Sequence, residues 1–313
     1  MGTILTITLN PAIDKSTSVS AMLPDKKMRC TKPVFEPGGG GVNVARALHK
    51  LGEEATAVYL AGGYTGRFFG ELLAAEEIHA VAIPIHSHTR ENLVVLDQAT
   101  NLQYRFGMPG PVIRESEWQQ LLQVVDEMGP AEFIVASGSV PEGVPADIFA
   151  RIGWIARRKN ARYIVDTSGP ALAEAIAAGV YLAKPNLGEL AYLTGNKELN
   201  TPDVVKAGRE LMSKKNIEAL VVSLGARGAM LVTQDQAITV TPPVVKMRST
   251  VGAGDSMVAG MVLRLKQGKG LQEALRYGVA CGTAATMNPG TELCKKQDAD
   301  RILGSIQSSF AQT

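Results

Sequence analysis

Cysteine is scarce in this 313-residue chain: Cys30, Cys281 and Cys294 are scattered and show no CxxC spacing. That excludes a disulfide framework and a zinc ribbon, and it fits a reducing compartment. Neither sign of charge dominates. Lys and Arg number 32 against 30 Asp and Glu, a net charge of +2, so the chain has no basic arm for nucleic acid and no polybasic membrane anchor. Aromatic residues make up only 5% and do not interleave with basic ones, which removes the usual pattern of RNA binding. No run of about 18 apolar residues occurs, so no membrane span is expected. The opening MGTILTITLNPAID has no basic n-region and alternates like a strand, unlike a signal peptide. The four histidines, His49, His79, His86 and His88, lack metal-ligand spacing, and there is no GxSxG elbow of a hydrolase. A cytoplasmic protein without nucleic-acid or membrane partners is the expectation.

What is there is an ordinary globular mixture, 45% hydrophobic and 20% charged, over a length that allows about two domains or one large α/β domain. Ile4 to Leu9 alternates as a strand, and Val42 to Leu48 has a helical pattern stopped by Gly52. From Glu117 onward helices and short apolar strands alternate regularly: strands at 133–136, 163–165, 181–184 and 219–223 are each preceded by a helix. That rhythm predicts βαβ units and a mostly parallel sheet. Stretches such as EFIVASG are continuously apolar, as in strands buried on both faces. Hairpin-like strands around 14–36 and 85–108 break the rhythm and read as a small β insertion. Past residue 229, AMLVT and AITVT form a hairpin candidate, followed by helical patterns at 255–266 and 271–287.

The strongest local signal is the stretch Ser249 to Asp255, STVGAGD, opening the first of those helices. Small residues let backbone N–H groups face one point, and the helix start adds its positive dipole end, which makes an anion cradle. Asp255 reads either as an ordinary acidic residue favoured in a first turn or as a base beside a phosphate. The run Gly38 to Gly41 is neither a dinucleotide fingerprint, since Asn43 and Val44 occupy the last glycine position in the two registers, nor a Walker A loop, since no GK[ST] follows. It reads as a flexible turn or as bare backbone that a ligand can approach, with Asn43 offering an amide to a hydroxylated ligand. Asn186-Leu187-Gly188-Glu189 follows a strand. It is either a capped turn or a set of polar groups where α/β ligands bind. Ser223-Leu224-Gly225 ends a strand in the same way. Lys27, Arg90 and Arg105 fall in the insertion, either as solvated charges or as a joint clamp for a phosphate monoester.

Taken in order, TLNPAID, PGGGGVNVARAL, KPNLGEL, VVSLGARGA and TVGAGDSMVAG resemble the ribokinase-like carbohydrate kinases, the PfkB family, over essentially the whole chain. The resemblance implies one ribokinase-like α/β domain over 1–313. Its central, mostly parallel sheet would carry helices on both faces, and a small β lid from about 14–36 and 85–108 would cover the sugar and join two subunits into a homodimer. TLNPAID is similar to the branch acting on sugar phosphates: 6-phosphofructokinases, 1-phosphofructokinases and tagatose-6-phosphate kinases. Many of these carry GGKG, with lysine where Gly40 stands here. GGGG preceded by KMRC is most similar to the minor 6-phosphofructokinases. The implied reaction is Mg2+- and ATP-dependent phosphorylation of fructose 6-phosphate at its C1 hydroxyl, a step of glycolysis. Tagatose-6-phosphate kinase and 1-phosphofructokinase are the alternatives within the class. A non-catalytic sugar- or nucleotide-binding regulator is the alternative from another class, and the intact GAGD argues against it.

By the same resemblance Asp255 is the base, and the N–H groups of Gly252, Ala253 and Gly254 stabilise the moving phosphoryl group. Asp14, Gly39 and Asn43 hold sugar hydroxyls, while Lys27, Arg90, Arg105 and Ser139 bind the sugar phosphate. Lys184, Asn186, Glu189, Ser223 and Gly225 serve the nucleotide, Glu189 by placing Mg2+ through water. Ser249, Val251, Ala285, Asn288 and Gly290 match a K+ site built largely of carbonyl oxygens. Many relatives have Asp where Ser249 stands.

Overall fold

Alternation of short apolar strands with amphipathic helices leaves few topologies open, and the computed structural model, which describes residues 3–310, shows a doubly covered sheet. The chain begins with β1 (Thr3–Thr8), β2 (Ala12–Val19), β3 (Val34–Gly38), α1 (Gly40–Lys50), β4 (Thr56–Ala61), α2 (Gly63–Ala75) and β5 (Ala80–Pro84). Then come β6 (Arg90–Asp97), β7 (Leu102–Phe106), α3 (Glu115–Glu127), β8 (Ala131–Ser137), α4 (Ile148–Arg158) and β9 (Arg162–Asp166). α5 (Gly169–Ala178), β10 (Val180–Ala183), α6 (Leu187–Thr194), α7 (Val204–Lys214), β11 (Ile217–Ser223), β12 (Ala229–Val232) and β13 (Ala237–Thr241) follow. The last elements are α8 (Ala253–Lys266), α9 (Leu271–Thr286), α10 (Lys296–Leu303) and β14 (Gln307–Phe310).

Ten strands form the main sheet in the order β14-β13-β12-β11-β10-β9-β8-β1-β4-β5. From β11 to β5 every neighbour is parallel, and β12 to β14 add an antiparallel edge. Alternate residues of each strand feed two cores. Ile4, Phe133 and Val135 face α1, α2, α8, α9 and α10, whereas Leu5, Ile7 and Ile134 face α3 to α7. The chain leaves β1 toward β4 on one side and later returns as β8 on the other, so the strand order reverses at the β1–β8 pair. The carboxyl ends of the strands beside such a reversal form the natural binding crevice of an open α/β sheet.

The insertion is a separate four-stranded sheet, β3-β2-β6-β7. Its two antiparallel pairs, β2–β3 and β6–β7, match the hairpin-like strands expected around 14–36 and 85–108, and the two pairs join through a parallel contact. β2 runs parallel to β6, with Ala12 opposite Arg90 and Val19 opposite Asp97. β5 joins the main sheet beside β4. Two elements escape a hydrophobic reading. α10 is mostly polar and buries Ala299 and Ile302 alone, and β14 is the polar edge strand QSSF. The capped-turn reading of Asn186 and Glu189 opens into a full helix, α6.

The glycine run is held tightly between β1 and β8. Gly39 has φ +119°, and a side chain there would meet Thr8 and Pro11. The start of α1 has no side-chain cap of its own, so the Thr8 hydroxyl of β1 accepts the Val42 N–H at 2.8 Å. A Cβ on Gly40 would run into Ser137 Oγ and lie 2.6 Å from the Gly138 nitrogen. Closeness to the end of β8 therefore suits glycine at this position. Gly40→Ala is expected to cost about 1–3 kcal/mol of stability through overpacking, read as a lower urea midpoint, whereas Gly70→Ala, where a Cβ would meet only Tyr59 Oη at 3.7 Å, is expected to leave the midpoint nearly unchanged.

Candidate active site

α8 starts where Gly252, at φ +72°, turns the chain in the left-handed region. A Cβ there would also lie 2.5 Å from Leu293, so glycine is demanded twice over. The first intrahelical bond runs from the Ser256 N–H to the Gly252 carbonyl at 2.8 Å. The N–H groups of Ala253, Gly254 and Asp255 are thus free of helical partners and mark the positive end of the dipole. Asp255 is in this first turn. Its Oδ2 accepts a hydrogen bond from Asn43 Nδ2 at 2.9 Å, which joins the start of α8 to the start of α1.

The electrostatics at Asp255 are unusual for a helix N-terminus. Burial is the largest influence and Asp166 the next, and both oppose the charge. Asn43 and Lys184 favour it, Asp14 opposes it, and the net result lifts the carboxyl pKa from 3.8 to about 6. Lys184, just past β10, is itself 8% exposed and pairs with Asp166 at the end of β9, Nζ to Oδ1 3.1 Å. Burial works against this ammonium, but Asp166, Asp255 and Glu189 outweigh it and hold the lysine pKa above its usual value. A cation is therefore fixed beside the cradle, 3.5 Å from where a Cβ on Gly254 would stand.

On the other side of Asp255, the end of β1 and the small sheet supply polar groups. Asp14 is buried. Its carboxyl accepts from Asn92 Nδ2 at 2.9 Å, and burial raises its pKa despite that bond and the nearby Arg90. Arg90 donates to the carbonyls of Asn10 and Met108, both at 3.0 Å, and burial lowers its pKa. Asn10 Nδ2 in turn donates to Ser139 Oγ at 3.0 Å. Arg90 Nε and Asn10 Oδ1 are both buried without a protein partner among the described residues. Two unpaired polar atoms this close to Ser139 suit a ligand that completes them.

Arg105, on β7, reaches across from the small sheet and donates to Thr250 Oγ1 at 3.1 Å, beside the cradle. Lys27 is exposed on the connection between β2 and β3. The three cations expected to act together thus have separate settings: Arg90 on the Asn10–Ser139 group, Arg105 on the cradle, and Lys27 out on the loop.

Lys184 and Gly254 also line a cleft of about 420 Å³ with Ser223, Gly225, Met257 and Thr283. Its walls come from the β11–β12 turn, α8 and α9. Asn186 caps α6, accepting from the Glu189 N–H at 2.9 Å, and Glu189 Oε2 accepts the Asn186 N–H at 2.8 Å. The capping-box geometry is therefore present, and it leaves the Glu189 carboxylate close enough to Asp166 and Lys184 to feel both, with burial raising its pKa most. Ser249 lies against the end of α9. The N–H groups of Arg248 and Ser249 share the Thr286 carbonyl at 2.8 and 3.2 Å, which brings Ser249 and Val251 toward the segment holding Ala285, Asn288 and Gly290. Asn288 spends its own amide on the Leu293 carbonyl.

Sequence reasoning missed Asp166, Asn10 and Thr250. An Asp closing an apolar parallel strand was a usable signal for the first. The other two lie inside quoted motifs but have no separate pattern of their own.

The model of the pfkB family of carbohydrate kinases matches residues 4–298. ATP-dependent 6-phosphofructokinase isozyme 2 of Escherichia coli (strain K12) is 46% identical over 301 residues, 96% of this chain and 97% of that protein. The 1-phosphofructokinase of Bacillus subtilis (strain 168) is 30% identical over 291 residues, covering 92% and 95%. Crystal structures of the E. coli phosphofructokinase-2 superpose with a TM-score of 0.93 for its potassium complex and 0.91 for its complex with fructose-6-phosphate. Sequence identities are 44% and 42%, and each comparison covers 97% of this chain and 99% of that one.

The raised pKa of Asp255 has a consequence for stability. Its contribution is fully present below the unfolded value of 3.8 and is lost as pH rises through about 6. Asp255→Asn is therefore expected to raise stability by about 3 kcal/mol at pH 8 and by well under ~1 kcal/mol at pH 4, measured by urea unfolding at both values.

Proposed function

The chain belongs to the pfkB family of carbohydrate kinases, and on that premise we propose that it transfers a phosphoryl group from ATP to the C1 hydroxyl of fructose 6-phosphate, giving fructose 1,6-bisphosphate. The observation that carries this reading is Asp255: a carboxyl with a pKa of about 6, set in the first turn of a glycine-opened helix and held by Asn43. A base tuned near the working pH serves general catalysis best. At neutral pH the carboxylate accepts the proton of the sugar hydroxyl as its oxygen attacks phosphorus. The free N–H groups at the start of α8 and the Lys184 ammonium stabilise the charge spread over the moving group, and one such preorganised donor is typically worth about 2.7–4 kcal/mol.

Asp14, Gly39 and Asn43 hold the sugar hydroxyls in this reading. Arg90, Ser139, Arg105 and Lys27 take the 6-phosphate, supported by the unpaired Arg90 Nε and Asn10 Oδ1. The cleft lined by Ser223 and Gly225 takes the adenine nucleotide, and at about 420 Å³ it falls within the range of small-molecule pockets.

The acidic residues suit Mg2+ carried by ATP. No group of three His, Cys, Asp or Glu side chains able to cage a metal occurs among the described residues. Single carboxylates, Glu189 and Asp166, stand by the nucleotide cleft instead, and Mg2+ is usually held by one or two carboxylates, waters and phosphates. Bound there, it neutralises phosphate charge. A K+ ion held by carbonyl oxygens of Ser249, Val251, Ala285, Asn288 and Gly290 belongs to the same reading, supported by the convergence of both segments on Thr286. So does a homodimer through the small sheet, whose Val34, Leu102, Tyr104 and Phe106 are exposed. No helix of the described residues is long and apolar enough to cross a membrane, and the three cysteines are free, which fits the cytoplasm.

Three outcomes test the reading. With Mg-ATP, kcat/KM is expected to be highest for fructose 6-phosphate in a panel with tagatose 6-phosphate, fructose 1-phosphate, fructose and ribose. A clear lead for fructose 1-phosphate makes it a 1-phosphofructokinase instead. Asp255→Asn is expected to lower kcat by about 10²–10⁴-fold with sugar affinity nearly intact, and a near-normal rate refutes the base. Arg90→Ala is expected to raise KM for fructose 6-phosphate far more than KM for ATP.

A further inference from the structure

Among the described residues Arg46 is the largest fully buried side chain, 2% exposed, and it sits one turn beyond Asn43 on α1. A buried guanidinium is costly unless each donor is used. Here Nε and Nη2 form a two-pronged pair with Glu76 at 2.8 and 2.6 Å, and Nη2 also lies 3.4 Å from Glu36. Nη1 donates to the Pro37 carbonyl at 2.7 Å and to Asn43 Oδ1 at 3.4 Å. That last contact is the informative one. A side-chain amide has an oxygen end and a nitrogen end, and in isolation either can turn toward a carboxyl. With a permanent cation at its oxygen, the Asn43 amide is forced to aim its NH2 at Asp255, where it donates at 2.9 Å.

We propose that Arg46 is a positioning residue for the kinase reaction: held by Glu76 and Glu36, it locks the Asn43 amide so that Asn43 donates to Asp255 and favours the carboxylate, the form that takes the hydroxyl proton. The inference rests on the reading of Asp255 as the base. If the amide were free to turn, its oxygen could accept from a protonated Asp255 and stabilise the wrong form. The other charges facing this relay are Asp166, Lys184 and Asp14 around Asp255, and Glu36, Glu76 and Asp14 around Arg46. Burial opposes the arginine charge, but Glu76 and Glu36 outweigh it, so the guanidinium stays charged throughout the working range.

The test is the acid limb of the kcat/KM profile for the sugar phosphate, measured on the full-length enzyme with Mg-ATP. Arg46→Lys keeps the charge and a bond to Glu76, but one ammonium cannot also reach Pro37 and Asn43. The expected result is a limb moved up by about half a pH unit or more, with kcat at pH 8.5 lowered less than about tenfold and KM for the sugar little changed. In an Asn43→Ala background the same change is expected to move the limb no further, since the path runs through that amide. Glu76→Gln, which leaves Arg46 in place but loosens it, is expected to move the limb in the same direction by less, and it serves if Arg46→Lys fails to fold. An unmoved limb with a uniform loss of rate at every pH overturns the proposal, as does a shift that persists without Asn43. Asp255→Asn separates the two readings. If it keeps a near-normal rate, the base assignment has failed. If it is inactive while the limb ignores Arg46 and Glu76, only the positioning role has failed.

Discussion

A single hydrogen bond 2.9 Å long, from Asn43 to Asp255, joins the starts of two helices that are 212 residues apart in sequence. Much else follows from the need to bring those ends together. α1 can begin there only because Gly39 turns with positive φ and Gly40 lies against the end of β8. α8 can begin there only because Gly252 turns in the left-handed region beside Leu293. Both glycine stretches so become backbone without side chains at one point, directly over the reversal of strand order between β1 and β8. The crevice of an open α/β sheet is thus sharpened into a place where N–H groups, an amide and one carboxylate meet.

The charges around that point form a graded series. Lys184 is pinned by Asp166, Arg46 by Glu76 and Glu36, and Arg105 rests on Thr250. The first two cations are buried and paired with carboxylates, so their positions are fixed before any ligand arrives. Arg105 is exposed and belongs to the small sheet, so its bond to Thr250 makes the cradle responsive to where that sheet stands.

Much of this was legible in the sequence. Regular spacing of apolar strands and helices gave the parallel sheet, and TVGAGD and GGGG marked the two helix starts, because turning the chain and exposing backbone demand glycine. What stayed hidden depends on distance in sequence. The parallel pairing of β2 with β6 joins segments some 78 residues apart, Ala12 with Arg90, and no local pattern encodes it. Arg46 looks like a helical surface residue in VNVARAL until Glu36 and Glu76 are seen on either side of it. Asp166 ends an apolar strand, and only the neighbouring Lys184 shows why an acid is tolerated there. α10 and β14 are too polar and too short to stand out.

The order of the helices along the chain also shapes how the protein is made. One face of the sheet is covered by α3 to α7, which alternate in sequence with the later parallel strands. The other is covered near β1 and β4 by α1 and α2, and over the rest by α8, α9 and α10, which leave the ribosome after all the parallel strands have emerged. Until then Ile164, Leu182, Val221 and Leu231 have no helix to cover them. β13 keeps an open edge until β14, the last described strand, arrives to pair with it. A nascent chain at that stage carries one finished face and one that is bare over β9 to β12, the state in which a growing protein has most need of a chaperone.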